Sequence, residues 1–175
     1  MGHKIIVREK KETDKDQIEN ILNKNFGKNR HQRTVYLYRN KSPIKGLSHV
    51  SCLNEDPNTE IGTITFYRTF FRNIYCLLQG HLKVSDLFQG QGFGKILVRK
   101  GLEIAKQKNE VICFVSGKYD YYKEFDFFKL SSKNLIINTP ADLTYGELLV
   151  KELKKDCINL LPLKAQLLPE KYFKL

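Results

Sequence analysis

Apolar positions change period several times along the chain. "KIIVREKK" (residues 4–11) begins with a short apolar run and reads as a first strand. In "ETDKDQIENILNKNFG", Ile18, Ile21 and Leu22 recur at helical spacing, with Thr13 and Asp14 as start signals and Gly27 as the stop. "RHQRTVYLYRN" reads as another short helix, although Val35, Tyr36 and Tyr38 leave strand open as well. "LSHVSCLN" and "IGTITFYRTF" are strand-like and flank "EDPNTE", a turn-rich stretch, so together they predict an antiparallel hairpin.

The second half has a sharper pattern. "IYCLLQGHLKVS" (74–85) reads as a longer strand, and its interior Gly80 predicts a bulge or a close backbone approach. "GKILVRKGLEIAKQKN" places Leu97, Val98, Leu102 and Ala105 on one helical face. "EVICFVSG" (110–117) is almost continuously apolar, as in strands buried on both faces. "YDYYKEFDFF" suits a short aromatic helix, and "NLIIN" and "ELLVKEL" read as closing strands before a lysine-rich tail of no clear pattern. No repeat, low-complexity segment or linker divides the chain, so residues 1–175 read as one domain.

Composition narrows the classes. With 41% hydrophobic residues the chain can bury a real core, and none of its apolar runs is long enough to span a membrane. Its first residues, "MGHKIIVREKK", lack the apolar core of a secretion signal, and Ile6 stands where myristoylation needs Ser or Thr. Cys52, Cys76 and Cys113 sit in apolar stretches, and with Cys157 they form no CxxC pair; buried free thiols and a cytoplasmic setting are expected. His3, His31, His49 and His81 have no metal-ligand spacing, so no metal is expected. The net charge of +11 favours anionic ligands or partners, although scattered lysines also suit a solvated surface.

The segment "LFQGQGFGKIL" (87–97) carries the chemistry. Gly90, Gly92 and Gly94 alternate where a strand gives way to a helix, which calls for a backbone reason such as close approach of a ligand. A P-loop would need Gly at 89 and Ser or Thr at 96, where Gln89 and Ile96 stand. A dinucleotide fingerprint would need Gly at 95, where Lys95 stands. The pattern that fits is Q-x-x-G-x-G, formed by Gln89, Gly92 and Gly94.

On these residues the sequence resembles the GNAT superfamily of acetyl-CoA-dependent N-acetyltransferases, most clearly over 80–128 and by order of elements over about 4–155. "LKVSDLFQGQGFG" is similar to the family's L-x-V-x-P-x-x-Q-G-x-G-x-G, with Asp86 where proline is usual. The resemblance implies that Gln89, Gly90, Gln91, Gly92, Phe93, Gly94 and Lys95 face the pyrophosphate of coenzyme A. Unpaired N–H groups at a helix start are suited to that task. It also implies that the backbone of Leu82 and Val84 pairs with the pantetheine arm and the acetyl carbonyl. Lys95 and Arg99 are further candidates for the phosphates, and "SGK" (116–118) for the cleft wall.

"YDYYKEFDFF" resembles the family's Y-x-x-x-G-F segment, and more closely a bacterial subgroup reading Y-Y-x-x-F-G-F. So aligned, Tyr122 is the implied general acid toward the departing thiolate, and Tyr121 beside it is an implied cofactor-binding residue. A phenol of pKa about 10 is protonated at neutral pH and can give up its proton as that charge develops. Asp126 replaces the usual glycine and is among the less penalised residues should that site need positive φ. His81 is the candidate base for the attacking amine, with Glu60 as an alternative.

The expected fold is α/β: a central mixed, mostly antiparallel sheet whose middle strands splay, flanked by helices. The expected activity is direct acetyl transfer from acetyl-CoA to an amine on a small molecule or protein, with no acyl-enzyme. Two alternatives stay open: a coenzyme A-binding module without catalysis, and a basic protein associated with nucleic acid or the ribosome.

Overall fold

A computed structural model describes residues 3–27, 29, 43–71, 74–138 and 147–169. The alternating first half becomes a ladder of antiparallel strands. β1 (Ile5–Glu9) pairs with β2 (Ser48–Leu53), β2 with β3 (Asp56–Phe71), and β3 with β4 (Ile74–Val84). The β2–β3 connection is tighter than "EDPNTE" suggests. Leu53 already pairs with Asp56, so Asn54 and Glu55 make the turn and 56–60 belong to β3. The proposed helix over 30–40 lies outside the described residues.

β4 then pairs in parallel with β5 (Ile112–Gly117), which pairs with β8 (Glu147–Glu152); β8 in turn takes the short β6 (Phe128–Lys129). The main order is β1-β2-β3-β4-β5-β8-β6. Within the lysine-rich tail, β9 (Lys164–Pro169) joins the end of β3, and β7 (Ile136–Asn138) runs parallel to β9. The sheet is thus mixed and mostly antiparallel.

The first helix begins later than its start signals suggest. A 3-10 turn over Glu12–Asp14 precedes α1 (Lys15–Phe26), which ends at Gly27 with φ 79°. Its Ile18 and Leu22 pack on Val50 and Cys52 of β2. Alternate residues of a strand face opposite ways, and the intervening Ser51 lies near Leu97 of α2 (Phe93–Gln107), so the two helices cover opposite faces. α2 buries Leu97, Val98, Leu102 and Ala105 against Ile64, Phe66 and Leu77 in the larger core. Gly101 permits this close approach, because a Cβ there would stand 2.6 Å from the Phe66 ring.

Gly80 has both features expected of it. The register slips between Ile64–Leu82 and Phe66–Gln79, so β4 bulges there, and the Tyr67 ring occupies the place a Cβ would need. The four cysteines are free and buried.

Candidate active site

β4 and β5 are ladder neighbours only at Leu77–Cys113, Leu78–Phe114 and Gln79–Val115. Beyond Gln79 the strands part, and residues 80–84 carry β4 on toward the glycine loop with β3 as their partner on one side alone. A cleft of about 460 Å³ lies along this free stretch, walled by Leu82, Val84, Phe88, Gly92, Gly94 and Tyr121, among others.

The loop is a 3-10 turn over Asp86–Phe88 followed by Gly90 and Gly92, both with positive φ (77° and 83°). A Cβ at either would meet no protein atom within 4 Å, so the chain is open to the cleft at these two points. Gly92 caps α2, and the Lys95 N–H reaches its carbonyl at 3.0 Å. The N–H groups at this helix start lack intrahelical acceptors, and with the helix dipole they favour an anion. Asp86, in the place of proline, is tied to Lys83 at 3.3 Å and to the Gln89 amide; Gln89 also donates to the Val84 carbonyl at 3.4 Å. The Gln89 side chain therefore staples the loop from within.

Of the ten residues assigned to the cofactor by resemblance, Leu82, Val84, Gln89, Gly90, Gly92, Phe93, Gly94, Lys95 and Tyr121 line the cleft. Gln91 does not: it is exposed and outside the wall. Lys83 and Phe88 are added by the structure; Phe88 stacks toward Phe93 at 6.4 Å. Lys95 and Arg99 share the carboxylate of Glu124, at 2.6 and 3.1 Å, and Arg99 also lies over the Phe125 ring. Neither the family motif nor charge counting points to Glu124.

The tyrosines separate by depth. The end of α3 (Tyr119–Tyr122) puts the Tyr121 hydroxyl beside Gly94 in the cleft wall. Partial burial, with help from the Glu124 charge, pushes its phenol up to about 12. Tyr122 is buried, outside the wall, and its oxygen accepts a hydrogen bond of 2.8 Å from Gln79 Nε2 at the point where the strands part. Burial also drives the Tyr122 phenol upward, so both are protonated at neutral pH. The helix expected over "YDYYKEFDFF" is one turn long and continues as a 3-10 turn over Lys123–Phe125. It stops at Asp126, whose φ of 59° is the left-handed conformation a glycine would adopt without cost. Gly117, from the "SGK" stretch, lies under the Tyr122 ring and not in the cleft wall.

The two candidate bases are elsewhere. His81 is half-buried on β4 with its ring edge-on to Tyr67 at 6.4 Å, outside the cleft wall. Glu60 is buried and accepts from Arg8 at 2.9 Å, while Arg8 also holds Asp14 at 2.7 Å. This group joins β1, β3 and the start of α1, which is a structural position. Among the described residues no group of three or more His, Cys, Asp or Glu gathers as metal ligands, and no helix is long and apolar enough to cross a membrane.

A sheet that opens beside its parallel pair, with a glycine-rich helix start in the opening, has close counterparts among solved structures. An Escherichia coli GNAT family N-acetyltransferase solved with CoA superposes with a TM-score of 0.78 over 95% of this chain and 91% of its own, at 19% identity. This is the GNAT fold. A GNAT family acetyltransferase from Brucella melitensis, solved with acetyl-CoA, has a TM-score of 0.66 at 18% identity over 95% of this chain and 96% of that one. An Arabidopsis thaliana protein in complex with the bisubstrate analogue CoA-Ac-MVNAL has a TM-score of 0.57 at 15% identity over 83% and 95%. By sequence, the chain matches no family model and no curated protein. Within the GNAT fold, the cleft described above lies where β4 leaves β5.

Proposed function

We propose that this protein transfers an acetyl group from acetyl-CoA to a primary amine. The observation that carries the reading is the pair of positive-φ glycines, Gly90 and Gly92, open to a cleft at the start of α2. That cradle fits a diphosphate, since side chains at these points would fill the space the anion needs. The E. coli and Brucella proteins of this fold, solved with CoA and acetyl-CoA, support the assignment.

Acetyl-CoA supplies an activated acyl group and a thiolate leaving group; the chain's residues bind, orient and handle protons. The N–H groups of Phe93 and Gly94 hold the diphosphate, with Lys83 and Lys95 as neighbouring cations. The unpaired side of β4 at Leu82–Val84 takes an extended ligand as an added strand would be taken. Tyr122 holds a proton on its buried hydroxyl and releases it as negative charge develops on sulfur. The proton lost by the amine leaves to solvent at the open cleft, since neither His81 nor Glu60 stands in the cleft wall.

A second assignment has an observation in its favour: the Tyr121 hydroxyl is the one that lines the cleft, so Tyr121 would be the acid and Tyr122 a packing residue. The acceptor class is a primary amine on a small molecule or a peptide, and the peptide-derived analogue bound by the Arabidopsis protein favours testing peptides first. The test is free-thiol release from acetyl-CoA in the presence of spermidine or the free-amino peptide MVNAL. Release that depends on the amine and disappears in Tyr122→Phe supports the proposal.

A further inference from the structure

Gln79 breaks the apolar run "IYCLL" at the last residue that β4 pairs with β5. Its side chain lies in the interior, with the residue 2% exposed. One end of the amide is used, as Nε2 donates to Tyr122 at 2.8 Å. The other is not: Oε1 is buried without a hydrogen-bond partner among the described residues. An unmet buried acceptor is destabilising, so this oxygen stands out directly after the buried Cys76, Leu77 and Leu78.

The bond forms a crossbar where the strands diverge, from β4 on one side to the segment after β5 on the other. Tyr122 is fixed in turn by Gly117 beneath its ring and by Phe127 edge-on at 5.4 Å. Leu77 and Val115, of the same core, are exposed by 1% or less. The cleft runs from the start of α2 along Leu82–Val84 to Tyr121, and neither member of the crossbar belongs to its wall. The pair lies beyond the inner end of that wall, at the point where β4 leaves β5.

We infer that the Gln79–Tyr122 crossbar sets the length of the acyl group, admitting acetyl and excluding longer chains, with Gln79 as the specificity-determining residue. The inference rests on the acyl-CoA reading above. Two physical terms act together. A longer chain must displace side chains from a close-packed core, and overpacking of that kind is destabilising. It must also lay methylenes over Gln79 Oε1 and the Tyr122 hydroxyl, which leaves polar atoms covered and unpaired. An acetyl group ends before Gln79, with its sulfur beside the Tyr122 hydroxyl, and leaves the crossbar undisturbed.

The experiment is calorimetric titration of CoA, acetyl-CoA and octanoyl-CoA into wild type, Gln79→Ala and Gln79→Ser, each checked for cooperative thermal unfolding. Wild type should bind CoA and acetyl-CoA comparably and octanoyl-CoA about tenfold or more weakly. Shortening Gln79 should reduce the octanoyl penalty by about threefold while CoA affinity holds, since the atoms removed open part of the space that the longer chain needs. Gln79→Ser retains a polar group and serves should Gln79→Ala fail to fold. Equal binding of acetyl- and octanoyl-CoA by wild type overturns the inference alone, as does an undiminished penalty in a folded variant. Failure of wild type to bind CoA itself overturns the acyl-CoA reading, and the inference with it.

Discussion

The Tyr122 ring rests directly on the backbone of Gly117, where a Cβ would overlap it. The last residue of β5 thus positions the tyrosine whose hydroxyl meets Gln79 across the strand opening. Adding one methyl group tests this. Gly117→Ala should destabilise the protein by about 1–3 kcal/mol, as overpacked cores do. It should lower turnover more than CoA affinity, because the phosphate cradle is elsewhere. Denaturant melts and calorimetry read the two effects separately, and an Ala variant of wild-type stability would contradict the packing.

The two tyrosines make separable predictions. Tyr122→Phe should lower kcat about 10²- to 10⁴-fold, the usual range for a lost general acid, with little change in KM. Tyr121→Phe should keep kcat within about tenfold, well short of the loss of a general acid. The reverse ranking would transfer the acid role to the residue in the cleft wall.

Asp126 stands where the family segment has glycine. It adopts the left-handed φ of 59°, and its carboxylate accepts from Lys151 Nζ at 3.1 Å. The Lys151 side chain is only 6% exposed, so Asp126 neutralises a largely buried cation. Asp126→Gly relieves the backbone but strands that charge, and a net loss of about 1–3 kcal/mol is expected. Adding Lys151→Met should restore most of it. A Gly variant as stable as wild type would mean the pair contributes nothing.

Acid stability has a defined origin in Arg8, Asp14 and Glu60. Burial alone would raise the Asp14 carboxyl, but hydrogen bonds from Arg8 and from the Lys11 N–H hold it at about 2, against 3.8 unperturbed. A carboxylate depressed in the folded state stabilises fully above its unfolded pKa and loses that contribution as pH falls through its folded one. Asp14 should therefore contribute about 2 kcal/mol that disappears between about pH 4 and pH 2. Glu60 opposes this, because burial and its contact with Asp14 raise its pKa. Asp14→Asn should be less stable at pH 6 and have a shallower decline below pH 4. An unchanged acid limb would place the titrating group elsewhere.

Much of the fold was legible because period and punctuation agreed. The face of α2 was readable from Leu97, Val98, Leu102 and Ala105, and the bulge from Gly80. The β2–β3 turn was misjudged because Asp, Pro and Asn are turn residues by propensity, yet the exposed start of β3 accommodates them. β6 and β9 were missed: one is two residues long, and the other is hidden among lysines and prolines. In the site, the glycine loop was readable from a motif with a backbone reason. Gln79 and Glu124 were not, since each depends on a partner 25 to 43 residues away, and nor was the ring-bearing role of Gly117, which depends on Tyr122 folding back over it. The one local clue was a glutamine in an apolar strand.

The central claim is an acyl-CoA site at Gly90, Gly92 and the start of α2. Calorimetric titration of acetyl-CoA into wild type and Gly92→Glu tests it most directly. A carboxylate at Gly92 would occupy the open space and repel a diphosphate. Micromolar binding by wild type, abolished in a folded Gly92→Glu, is the predicted result. No binding to wild type, or equal binding to both, would contradict the account.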